Sequence, residues 1–274
     1  MSASHHGPRG ESDGRRDLPG VPDVATPPPE LADAAARLFG AALSAAAAYA
    51  EMLATDGVTR GLIGPREATR LWDRHLLNCA AMAEIIPSGA SVLDVGSGAG
   101  LPGIVLALAR PDLTVVLIEP LARRTAFLTE AVAALDLAPR VTVLRARAEE
   151  LAGGTYPAAT PADVVTARAV APLDRLAGWC LPLAAVGGRL LAMKGASAAD
   201  EVAAHRDAID RLGGATPVVR QCGVGLLDPP ATVVEIVRER AVAPPSSRPP
   251  PAGVRSVRRS TSDGRARRGR SRRR

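Results

Sequence analysis

The sequence predicts an α/β fold built on a mostly parallel, doubly wound sheet of seven strands, and three observations predict it. Short apolar stretches alternate with helical ones from residue 91 onward; the first runs straight into a glycine-rich turn; the last two stretches are separated by a loop alone. Alternation of this kind lays helices on both faces of a parallel sheet. A parallel crossover takes about a dozen residues or more, so the final pair, 216–221 and 232–237, is expected to be a hairpin that turns the last strand antiparallel.

The elements follow in order. Residues 30–54 are rich in Ala and Leu with few breakers, which suits a helix closed by Asp56 and Gly57. Pro65 opens a second helical stretch, 66–86, that Pro87 stops, so 30–88 forms an N-terminal helical extension. Strands are expected at 92–95 (VLDV), 114–118 (TVVLI), 141–144 (VTVL), 163–166 (DVVT) and 189–193 (RLLAM), with helices near 103–110, 121–135, 173–184 and 198–212. Residues 1–29 are rich in Gly, Pro, Ser and charge, and 241–274 in Pro, Ser and Arg; both are expected to be disordered. One domain, 30–240, remains, with its sheet-bearing core at 89–240.

Composition narrows the function. A hydrophobic share of 47% is ample for a core, yet no uninterrupted apolar run approaches the roughly 18 residues of a membrane span. The N-terminus MSASHHGPRGESDGRRD lacks the apolar centre of a secretory signal, so the cytoplasm is expected. Cys79, Cys180 and Cys222 lie far apart without a CxxC pair, which argues against a disulfide framework and a metal site. The net charge of +6 is unevenly spread: residues 241–274 carry eleven Arg and one acid, Asp263, or +10, which leaves −4 for residues 1–240. The tail can attract phosphate regardless of sequence, while six aromatic residues in the whole chain argue against a base-stacking RNA module.

The glycine-rich turn is DVGSGAGLPG, residues 94–103. Its glycines permit positive φ and close approach of backbone to a ligand at the start of a helix. Gly98, Gly100 and Gly103 also satisfy GxGxxG, so a dinucleotide is a rival ligand. Glu119, at the end of the second strand, is placed to accept two ribose hydroxyls and suits either. Asp94 favours S-adenosylmethionine, because a carboxylate can face a cationic methionine end but would repel a pyrophosphate. Pro102 has no N–H to offer a phosphate, which agrees. Gly96 and Gly98 are therefore expected against this cofactor.

Further along, Glu149 in RAEEL follows the third strand, where class I methyltransferases often place a polar residue at the adenine; a solvated helix cap is the plainer reading. Arg168 ends the fourth strand, and strand C-termini face the crevice in such sheets, so a functional cation is expected there, with a surface salt bridge as the plainer reading. Lys194 ends the fifth and is the single lysine among 34 basic residues, as though a compact ammonium were needed there. The Asn/Asp-Pro-Pro-aromatic motif of amine methylation is missing: its place reads ARAVAPL, residues 167–173, and the DPP at 228–230 is followed by Ala231 in a turn. Cys180 lies inside a helical stretch, away from the crevice, so no thiol is placed for carbon methylation. An acceptor such as guanine N7 needs no base, only alignment. Small-molecule methyltransferases also lack such a motif, so that alternative stays open, as does a ribosome-associated RNA-binding protein that uses the Arg tail.

LWDRHLLNC (71–79), DVGSGAGLPGI (94–104), RAEEL (147–151), ARAVAPL (167–173) and MKG (193–195) resemble, in order, the landmarks of the small-subunit ribosomal RNA methyltransferase G family, the glucose-inhibited division protein B family. The resemblance implies methylation of guanine N7 in the 530 loop of 16S rRNA, free or in the 30S particle, with S-adenosylmethionine and no metal, by a protein expected to be monomeric with no role at DNA or membranes. It implies cofactor contacts at Gly96, Leu101, Ala148, Glu149 and Arg168, and makes Arg74, His75, Arg123 and Lys194 candidates for the RNA-facing side. On its own pattern His75 reads as a surface or core histidine. Many members carry Asn-Leu-Thr before the LWDRH helix, whereas this chain reads VTRGLIGPRE at 58–67.

Overall fold

The structure, a computed structural model, describes residues 24–152, 161–168 and 171–242. The seven strands are β1 (Ser91–Val95), β2 (Thr114–Ile118), β3 (Val141–Leu144), β4 (Ala162–Arg168), β5 (Ala184–Lys194), β6 (Val218–Cys222) and β7 (Ala231–Val237), in the order β3-β2-β1-β4-β5-β7-β6. β1 to β5 are mutually parallel; β7 pairs antiparallel with both β5 and β6, so it alone is reversed. This is the sheet of class I S-adenosylmethionine-dependent methyltransferases. β5 starts earlier than its apolar pattern, since Gly187 turns through φ +86° and the β4–β5 register shifts between Ala162 and Val164.

Helices α1 (Ala32–Phe39), α2 (Leu43–Met52) and α3 (Leu77–Ala81) precede the sheet; α4 (Gly103–Ala109), α5 (Ala122–Ala134), α6 (Ala148–Leu151), α7 (Leu173–Cys180) and α8 (Ala198–Arg211) follow its strands. Two apolar layers sandwich the sheet. On one face Val92, Val115 and Val164 pack with Ile104, Leu106, Phe127 and the buried residues of the extension; on the other Leu93, Val95 and Val165 meet Leu176, Ala177 and Ile209 of α7 and α8. The extension thus shares one core with the sheet.

The extension is less regular than its composition suggests. Gly40, at φ +51°, breaks α1 from α2, and π-helical turns occupy Leu53–Gly57 and Leu71–Leu76. Residues 29–57 have the length of a membrane-crossing helix, and an 18-residue stretch within them reaches a mean hydropathy of 1.3, but Tyr49, Ala50 and Leu53 are buried in the protein core. Residues 24–29, expected to be disordered, are among the described residues: Val24 is buried and its carbonyl accepts the Trp72 indole N–H at 3.1 Å. Residues 1–23 and 243–274, which make up nearly all of the expected disorder, lie outside the described residues.

Candidate cofactor crevice

The strand order reverses between β1 and β4, so the chains leaving their C-terminal ends part and open a crevice, as at any switch point of a doubly wound sheet. A cavity of about 300 Å³ lies there, at the lower end of ligand-site volumes. Gly96, Ser97, Gly98, Ala99 and Leu101 form one wall; Arg168 and His75 form another; Leu62, Ile63, Gly64, Glu67 and Arg124 complete the lining.

The loop is held from below and behind. Gly96 N–H and Ser97 N–H both donate to the Ile118 carbonyl, and the Tyr49 hydroxyl donates to the Ala99 carbonyl at 2.5 Å. Gly100 is required twice over: its φ is +96°, and a Cβ there would sit 2.7 Å from that hydroxyl and 2.5 Å from Ile104 Cδ1.

Asp94 does not face the crevice, contrary to the expectation that it meets the methionine end. It is fully buried, its Oδ2 accepting the Gly103 N–H at 3.1 Å and its Oδ1 the Thr166 hydroxyl at 3.0 Å. Strand alternation explains this: Asp94 shares a face with Val92, which packs toward α4, so its carboxylate satisfies an otherwise unpaired donor at the start of that helix. Burial raises its pKa to about 6, opposed by the hydrogen bonds it accepts from Ser97, Thr166 and Gly103. Glu119, 1% exposed, likewise turns inward: it accepts Gly98 N–H and Leu121 N–H, each at 3.0 Å, with Arg124 Nη1 3.7 Å away. It shapes the loop from the crevice floor.

Of the remaining cofactor candidates, Gly96, Gly98, Leu101 and Arg168 come together in the lining, while Ala148 and Glu149 stand apart from this cavity in α6, Ala148 buried and Glu149 exposed. The RNA-side candidates divide. Arg74 and Arg123 are exposed, Arg74 donating to Glu67 at 3.2 Å. His75 is not on the surface: the π-helical turn tucks its ring, 7% exposed, between Glu67 and Arg168. Lys194 is also withdrawn, its side chain 8% exposed and its ammonium bound to Glu201 at 2.8 Å and to the Ala171 carbonyl at 2.9 Å. The ammonium links β5 to α8 and to the segment leading into α7.

Three parts of the lining escape a reading of the sequence: Glu67, the 62–64 segment and Arg124. The first two lie in the stretch where VTRGLIGPRE departs from the resembled pattern, so the departure itself is the signal. For Arg124 the sequence holds none beyond its nearness to Glu119.

A family model described as rRNA small subunit methyltransferase G matches residues 42–225. The chain belongs to the rRNA small subunit methyltransferase G family. Proteins named Ribosomal RNA small subunit methyltransferase G are similar to it along most of their length. One from Salinispora tropica is 70% identical, covering 83% of this chain and 94% of that protein. One from Salinispora arenicola is 68% identical over 83% and 94%, and one from Mycolicibacterium gilvum 55% identical over 80% and 92%. As a small-subunit rRNA methyltransferase G family member, the chain uses S-adenosylmethionine, and the crevice fits that molecule. The Arg168 guanidinium meets a ring nitrogen and a thiol but no carboxylate among the described residues, and the buried Arg124 Nε has no hydrogen-bond partner among them. Both donors suit an acceptor brought by a ligand.

Proposed function

We propose that this methyltransferase acts on N7 of a guanine in the 530 loop of 16S rRNA, presented by the small ribosomal subunit in the cytoplasm. One observation supports the reading above others. The two side chains of the described crevice lining that could serve as bases are committed elsewhere: His75 has both ring nitrogens engaged, and Glu67 accepts from His75 and Arg74. Guanine N7 already carries its lone pair and loses no proton when alkylated, so it asks of the site only alignment and tolerance of positive charge.

Bound S-adenosylmethionine supplies an electrophilic methyl group on sulfur. In this reading Gly96, Gly98 and Leu101 line its methionine and ribose portion, Glu119 braces that loop from behind through the Gly98 N–H, Arg168 meets the carboxylate, and Ala148 with Glu149 bounds the adenine side. Arg74 and Arg123, both exposed, contact RNA phosphate. Purified protein supplied with methyl-labelled cofactor and 30S subunits should place label in 16S rRNA at a site that cleaves with borohydride and aniline, the reaction of 7-methylguanine. Label that resists this cleavage, or that enters small molecules but never RNA, overturns the reading.

A further inference from the structure

Three groups meet at the crevice wall. Arg168 Nη2 donates to Nδ1 of His75, and Nε2 of His75 lies 3.0 Å from Glu67 Oε2. A guanidinium only donates and a carboxylate only accepts, so a neutral imidazole between them has one available form, with its proton on Nε2 and its lone pair on Nδ1. The ring's surroundings favour that neutral form: burial, then the Arg168 charge, lowers the His75 pKa, against the opposing pull of Glu67. Arg168 Nη1 donates to Cys79 Sγ at 3.3 Å, which fixes a second side of the guanidinium. Because thiol and imidazole are both neutral, neither compensates the Arg168 charge, and Arg168 lines the crevice. The only anionic group of S-adenosylmethionine is its amino-acid carboxylate.

We propose that His75 is a positioning residue, held in one tautomer by Glu67, that aims Arg168 at the carboxylate of S-adenosylmethionine. This rests on the reading of the crevice as the cofactor site. It replaces the expected RNA-facing role of His75 with one behind the cofactor. The 58–67 segment gains a role as well, since Glu67 fixes the imidazole while accepting from exposed Arg74.

The test is calorimetric binding of S-adenosylhomocysteine, which has the carboxylate, beside 5′-methylthioadenosine, which lacks the amino-acid end. His75→Ala should weaken S-adenosylhomocysteine at least tenfold, in line with the loss of a hydrogen bond to a charged group, and leave methylthioadenosine within about twofold. His75→Asn, which keeps an acceptor near Nδ1, should recover part of the loss. In an Arg168→Gln background, His75→Ala should add less than about twofold, because the two residues act as a unit. Equal weakening of both ligands would show a merely structural role and overturn the proposal, as would full affinity in His75→Ala. Folded wild-type protein that binds neither ligand would overturn the cofactor site itself. Wild-type binding with an indifferent Arg168→Gln would overturn only the carboxylate assignment and the proposal built on it.

Discussion

Asp94 illustrates what one residue can and cannot disclose in a sequence. Its position two residues before Gly96 correctly marks the turn, but its carboxylate braces the loop instead of meeting the ligand. The alternation that places Val92 in the α4-side core already places Asp94 beside it, under the helix. The same burial yields a prediction with a definite sign. A carboxyl whose pKa is raised in the folded state stabilises the fold fully below its unfolded pKa of 3.8, and that contribution is lost as pH rises through about 6. Asp94→Asn removes the ionisation while its amide can still accept from Gly103. Its stability relative to wild type should therefore improve as pH goes from 4 to 7, by roughly 2 kcal/mol, most of what a shift of about two pKa units yields, since pH 4 already lies just above the unfolded pKa. Denaturant melts at the two pH values measure this; a gap between the proteins that does not move with pH would contradict it.

Among the elements, hydrophobic period and glycine punctuation made all seven strands legible, and the bare loop before β7 disclosed its reversal. Less legible were features that composition does not encode. An Ala-rich stretch reads as one helix, yet Gly40 and the π-helical turns redirect it, and the turn at Leu71–Leu76 brings His75 inward. Lys194 stands out in the sequence as a lone lysine, but its ammonium joins β5, α8 and the segment before α7 inside the protein instead of facing RNA. Lys194→Met leaves the Ala171 carbonyl without this donor and Glu201 without its cation. It should cost about 1–3 kcal/mol of stability. Thermal melts should show the loss, and S-adenosylhomocysteine affinity at low temperature should stay within a few-fold of wild type. Unchanged stability together with lost binding to 30S subunits would return Lys194 to the RNA side.

Across the whole molecule, charge and site are separated along the chain. The crevice lies at the switch point of the sheet, a location that the strand order dictates and that alternation in the sequence already implied. The +10 of the Arg-rich tail lies within residues 241–274, past the last strand of the sheet. Truncation after Val242 should leave S-adenosylhomocysteine affinity unchanged and preserve methylation of 30S subunits at low salt. The salt dependence of RNA affinity should become shallower, since fewer counterions are released from the phosphates. Filter binding across a salt series checks the slope; loss of methylation at every salt concentration would show that the tail completes the site.

If the glycine loop holds S-adenosylmethionine for guanine-N7 methylation of small-subunit RNA, the modified base must depend on that loop in the cell. Aniline-cleavage mapping of 16S rRNA reads this out in a deletion strain complemented with wild-type protein or with Gly96→Asp, which puts bulk and charge into the cofactor wall. The expected result is 7-methylguanine at the 530 loop with the wild-type gene alone. A 530-loop signal that persists in the deletion strain, or that Gly96→Asp restores in full, would contradict it.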